Sequence, residues 1–172
     1  DFGGDSLVWE CRNDLSAFPV LTTPYQVEAA VYNMSVDECI NAVEPDGTLR
    51  TGLEWGGVWT RDVSYSTILS MAYLQPEAAM TSLLCKINSK GEIVQDTGTG
   101  GAWPCSTDRQ IWVGAAWEIY KVTGSREWLE KIYPVAKKSL EVDMRTIYDE
   151  RTGLAKGESS FIDWRKNSYP IW

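Results

Sequence analysis

The chain contains no histidine among its 172 residues. Ser-His-Asp and Cys-His catalysis and every histidine metal site are therefore excluded. Any acid–base chemistry must come from carboxylates, Tyr, Lys or Cys. Three segments gather such groups beside aromatics. The first is Gly56-Gly57-Val58-Trp59-Thr60-Arg61-Asp62, with an aromatic face, a guanidinium and a carboxylate within four residues. Sugar recognition uses this mix: a ring to stack on, and charged groups that bond neighbouring hydroxyls in pairs. The plain alternative is a helix start, with Asp62 as the capping residue and Arg61 as its ion-pair partner.

The second segment repeats the theme. Gly100-Gly101-Ala102-Trp103-Pro104-Cys105-Ser106-Thr107-Asp108-Arg109 joins a Gly-rich loop to a Trp and then to an Asp and an Arg. Here too a structural role competes, because an acidic residue at a helix N-terminus is favoured by the helix dipole. The third segment, Gly157-Glu158-Ser159-Ser160-Phe161-Ile162-Asp163-Trp164-Arg165, sets two carboxylates five positions apart among aromatics. Glycoside hydrolysis needs one carboxylic acid to protonate the leaving oxygen and a second carboxylate to activate water. An apolar wall beside the acid raises its pKa and keeps it protonated near neutrality. The competing reading is a surface loop with an Asp163–Arg165 ion pair, which contributes little to stability.

These three segments, in this order, resemble the pocket loops of six-hairpin (α/α)6-barrel glycoside hydrolases, the glucoamylase, trehalase and processing-glucosidase families. Trp59-Thr60-Arg61-Asp62 looks like their first sugar-binding loop. The resemblance implies that Arg61 and Asp62 hold sugar hydroxyls while Trp59 lines the pocket. Trp103 and Asp108 correspond to the second pocket loop, and Trp164 lies in the third. Glu158-Ser159 followed by Asp163-Trp164 is similar to a Glu-Ser-Gly-Trp-Asp signature whose Asp is the general acid. Here one extra residue precedes the Asp and Ser160 replaces the Gly. The acid is thus Asp163 or Glu158, with Asp163 favoured. The resemblance covers roughly residues 25–172 and implies an inverting, exo-acting enzyme on an oligosaccharide or glycoside, with no cofactor.

Composition narrows the field independently. A formal net charge of −8 argues against a nucleic-acid partner, since a phosphate backbone attracts a basic face. No stretch approaches the ~18 uninterrupted apolar residues of a membrane span. Nine tryptophans suit sugar stacking and core packing alike. The cysteines at 11, 39, 85 and 105 show no C-x-x-C spacing; two disulfides in three pairings, or buried free thiols, both remain open. No compact Asp-rich loop suggests calcium. The first residues, Asp1-Phe2-Gly3-Gly4-Asp5, carry no basic and apolar signal region, so the protein is not exported or its signal was removed; removal would favour a periplasmic or extracellular location.

The elements that must position these groups are helices. Residues 1–24 read as an irregular lead-in with a short strand around Leu7–Cys11. Apolar residues at Val27, Ala30, Val31, Met34, Val36, Cys39, Ile40 and Val43 predict a helix over 25–43. After a Pro45-Asp46-Gly47 break and a Gly/Trp-rich loop, helices are expected over 62–74 and 76–87, the second with Pro76 in its first turn. A loop with glycines at 91, 98, 100 and 101 leads to a helix opened by a Thr107/Gln110 capping box and stopped by Gly124. Ser125 caps a last helix to about Tyr148, which Pro134 should kink or divide; Asp149–Gly153 is a turn.

The class is all-α, with a hairpin rhythm and no strict repeat. A hairpin of two helices and its connections takes roughly 40 residues, so six need about 240. Five helices supply at most three hairpins, an incomplete part of a toroid whose partner is the rest of the same domain. The resemblance places the general base on a late Glu, outside this chain, and the isolated chain is expected to be inactive. Two other functions fit the same residues: a non-catalytic carbohydrate-binding helical protein, and a structural module of helical hairpins with its tryptophans in the core.

Overall fold

A computed structural model describes residues 8–96 and 107–156. The described chain is mostly helical, as the apolar spacing predicts. Its elements are α1 Gln26–Asn41, α2 Thr60–Ser66, a π-helical turn Thr67–Met71, α3 Ala72–Leu74, α4 Pro76–Cys85, α5 Asp108–Thr123 and α6 Arg126–Thr146, followed by a two-residue hairpin, β1 Tyr148–Asp149 and β2 Leu154–Ala155. The strand expected near the N-terminus is absent over Val8–Cys11. That segment instead runs beside α1, where Asp37 Oδ1 accepts from the Asn13 backbone N–H at 3.0 Å and its side-chain amide at 2.7 Å.

Three features end or start helices differently from the sequence expectation. α1 stops at Asn41 because Val43 pairs with Leu49 across an isolated bridge, and α4 stops at Cys85 because Ile87 pairs with Ile93. α2 begins two residues before Asp62. α6 is continuous: Pro134 lies inside it without dividing it. Ser125 caps α6 by accepting from the Trp128 N–H at 3.1 Å, and Gly124 ends α5 at φ 63°. Thr107 is the N-cap of α5, but its side chain makes no cap hydrogen bond, and the Gln110 amide reaches across to Asp143 Oδ2.

α5 sits at the centre and packs against α2, α4 and α6. Its buried stripe of Trp112, Ala115, Ala116 and Ile119 follows the helical period. Leu83 of α4, Met71 and Ala72 after α2, and Trp128 and Ile132 of α6 complete one core. Both core tryptophans satisfy their N–H: Trp112 donates to Leu83 O and Trp128 to Ala116 O, each at 2.9 Å. These two residues fill the interior, as the structural reading of the tryptophan count expects. α1 joins differently. Of its apolar positions Val36 is buried, while Val27, Val31 and Met34 are 75%, 50% and 41% exposed.

The π-helical turn was not legible in the sequence. It lies against Gly114 of α5, where an added Cβ would stand 3.5 Å from Ile68 Cδ1. That distance is ordinary van der Waals contact, so an alanine would fit at this position.

The chain also carries a repeat that the sequence reading missed. The turn Val43–Leu49 recurs as Ile87–Ile93, with Gly47 and Gly91 both at positive φ, each residue 44 positions after its counterpart (43 to 87, 47 to 91, 49 to 93). The closing bonds match: Glu44 N to Thr48 O and Arg50 N to Ala42 O in the first, Asn88 N to Glu92 O and Val94 N to Lys86 O in the second. Each turn is then pinned by a serine to the far helix of the hairpin that follows it, past α2–α3 in the first case and past α5 in the second. Leu49 N–H donates to Ser82 Oγ of α4 at 2.8 Å, and Ile93 N–H donates to Ser139 Oγ of α6 at 2.9 Å. The hairpin β1–β2 is a third copy, one residue longer, with Lys156 N bonded to Ile147 O and Gly153 at φ 72°.

Candidate functional site

The N-termini of α2 and α5 lie together, and a buried ion pair joins them. Arg61 Nη1 stands 2.7 Å from Asp108 Oδ1, with Arg61 8% exposed and Asp108 fully buried. Thr60 and Arg61 open α2, and Asp108 opens α5. Arg61 of the first constellation and Asp108 of the second are thereby brought to one place.

Two residues that the sequence did not single out complete the arrangement. Asp96 Oδ2 accepts from the Thr60 backbone N–H at 2.5 Å, which explains why α2 begins at Thr60 rather than at Asp62. A carboxylate from another segment satisfies a donor that the helix start leaves open. Asp96 Oδ1 accepts from Lys86 Nζ at 2.7 Å, and the same ammonium donates to Val58 O at 3.0 Å. Asp96 also offers its own N–H to Asp108 Oδ2 at 2.5 Å and its carbonyl to Arg61 Nη1 at 3.3 Å. Lys86 and Asp96 are mostly buried, with side chains 13% and 15% exposed. Nothing in their sequence neighbourhood marks them, because their partners lie 10 to 36 positions away.

Burial pushes the Asp108 carboxyl above its ordinary value, against the opposing pull of the Asp96 N–H and the Arg61 guanidinium. A second buried pair backs the first. Arg109, next to Asp108, bonds Asp143 Oδ1 of α6 at 2.5 Å, Ile93 O at 3.2 Å and Ser139 O at 3.3 Å. Burial also raises the Asp143 carboxyl, with Arg109 and Gln110 opposing.

Above this buried layer stand Trp59, half-buried, and Asp62, exposed, in the first turn of α2 and at its cap. The preceding loop is held by Thr51, whose N–H donates to Gly57 O at 3.1 Å while its hydroxyl accepts from the Trp59 N–H at 3.3 Å. Gly57 takes φ 82°, a conformation that favours glycine. Gly52, Gly56 and Gly57 have no atom within 4 Å of where a Cβ would stand, so the loop borders open space. Trp55 is half exposed beside them. Trp103, Glu158, Asp163 and Trp164 lie outside the described residues. Among the described residues no group of three or more metal-binding side chains is assembled, and no helix is long and apolar enough to cross a membrane. Cys11, Cys39 and Cys85 are free thiols; Cys105 lies outside the described residues.

Comparisons with protein families, with curated proteins and with solved structures find no match to this chain.

Proposed function

We propose that this chain carries the sugar-holding end of a glycoside hydrolase built from helical hairpins of an (α/α)6 toroid, inverting and exo-acting, with oligosaccharides or glycosides as substrates. The observation that carries this reading is the meeting of the starts of α2 and α5, tied by Arg61–Asp108 and Asp96. Such a platform fixes Trp59 and Asp62 relative to each other: a ring for the apolar face of a sugar, and a carboxylate for its hydroxyls. Arg61 and Asp108 then act from beneath, as residues that hold the platform, because their shared bond is buried. Hydrolysis itself is assigned to Asp163 as general acid, with Glu158 as the other candidate.

A structural hairpin module is the second reading, and the core positions of Trp112 and Trp128 favour it. Tryptophan fluorescence titrated with a panel of hexoses separates the two. The carbohydrate reading expects a saturable change that disappears in Trp59→Ala and weakens at least tenfold in Asp62→Ala. No change with any sugar would leave the structural module. Turnover of an aryl glycoside that survives in Asp163→Asn would overturn the assignment of Asp163 as the acid.

A further inference from the structure

The three turns share a register that runs on past their closing bonds. Each closes when a backbone N–H on its outgoing side meets a carbonyl on its incoming side: Arg50 N to Ala42 O, Val94 N to Lys86 O and Lys156 N to Ile147 O. The position two residues beyond that donor is Gly52 after the first turn, Asp96 after the second and Glu158 after the third. The extra residue of the third turn lies before its closing bond, so it leaves this count unchanged.

After the second turn the carboxylate at this position serves a helix start. Asp96 Oδ2 accepts from the N–H of Thr60, the first residue of α2, whose own N-cap residue, Trp59, makes no side-chain cap bond. The hairpin of α2 and α4 is thus held at its start by the strand that leaves its end. After the first turn the position is glycine, and residues 8–24, which precede α1, contain no helix whose start it could serve.

The third turn offers the setting of the second. α5 opens as α2 does: its N-cap residue, Thr107, makes no side-chain cap bond, and Asp108 is its first residue. α4 ends beside the start of α2, where Lys86 Nζ donates to Val58 O at 3.0 Å. α6 ends beside the start of α5, where Asp143 Oδ1 pairs with Arg109 and Asp143 Oδ2 accepts from Gln110 Nε2 at 3.3 Å. One helical turn beyond Asp143 is Ile147, and its carbonyl holds the Lys156 N–H at 2.7 Å. The two residues from Lys156 to Glu158 span up to about 7 Å, which keeps Glu158 within reach of that helix start. One part does not recur: Ile147 stands where Lys86 stands, so the ammonium that shares Asp96 has no counterpart at that position.

We propose that Glu158 is a positioning residue: its carboxylate accepts from the Asp108 N–H at the start of α5, as that of Asp96 accepts from Thr60 at the start of α2. A negative charge there also meets the positive end of the helix. The cap stands on the register of the turns and on the ends of α4 and α6. Its consequence for the reaction rests on the carbohydrate reading: a Glu158 carboxylate engaged at α5 does not protonate a leaving group, which leaves Asp163 as the acid.

Amide hydrogen exchange of the 172-residue chain, resolved residue by residue, tests the cap. In Glu158→Ala the Asp108 amide should exchange about tenfold faster, while Thr60, served by Asp96, keeps its rate. Glu158→Gln keeps an acceptor oxygen and gives up the charge. It should restore most of the protection and move the Asp108 amide proton upfield, further than that of Thr60. An Asp108 amide indifferent to both substitutions would overturn the proposal. If Glu158→Ala quickens exchange along the whole chain, the Asp108 resonance in Glu158→Gln decides alone. The hexose titration separates the two readings: an Asp108 amide that answers to Glu158, in a chain that no hexose affects, keeps the cap and withdraws only its consequence for Asp163.

Discussion

Asp108 concentrates the energetics of the site in one side chain. Both of its oxygens are engaged, one by Arg61 and one by the Asp96 N–H, in a fully buried position. Asp108→Ala removes the carboxylate that faces a buried guanidinium, and breaking such a pair destabilises by about 3–5 kcal/mol. Urea denaturation should show that loss. The pH dependence has a definite sign. Burial raises the folded carboxyl above its ordinary value of 3.8, so between 3.8 and the raised value the folded chain binds the extra proton. The contribution of Asp108 to stability is therefore full below 3.8 and declines as pH rises through that window. Asp108→Asn does not titrate there. The stability gap between wild type and Asp108→Asn should narrow as pH rises; a gap that widens would reverse the assigned direction.

At the scale of elements, helix existence was written in the apolar spacing, and helix limits were not. Ser125 and Gly124 were readable because their signals are local: a hydroxyl that meets an N–H three residues on, and a left-handed stop. Ser125→Ala should therefore cost about 1 kcal/mol in a thermal or urea melt. The start of α2 was misread because Asp96, 36 positions away, supplies the acceptor for Thr60 N–H. Eight apolar positions predict α1 as a helix, yet its Val27–Val31–Met34 side faces outward. Periodicity finds a helix but does not say which of two apolar sides the rest of the molecule covers. The site was legible to the same degree. Trp59, Arg61, Asp62 and Asp108 stood out as types and spacing, whereas Lys86 and Asp96 gain their meaning from tertiary contacts alone.

At the scale of the whole molecule, the three turns explain how the hairpins are strung together. The repeat was invisible as sequence because few of its residues are identical: Val43, Gly47 and Leu49 answer to Ile87, Gly91 and Ile93, and the third copy is one residue longer. What recurs is hydrogen bonding. Ser82→Ala and Ser139→Ala each strand a buried turn N–H, and each should lower stability by about 1–3 kcal/mol in urea denaturation. An effect below the experimental error in both would show that the serines pack without bonding.

The serine-pinned turns have one more consequence. Each joins a hairpin to its immediate successor, so these bonds add links between neighbours to the one core around α5. Opening is then expected to start at either end and advance link by link, with α5, which contacts α2, α4 and α6, the last to let go.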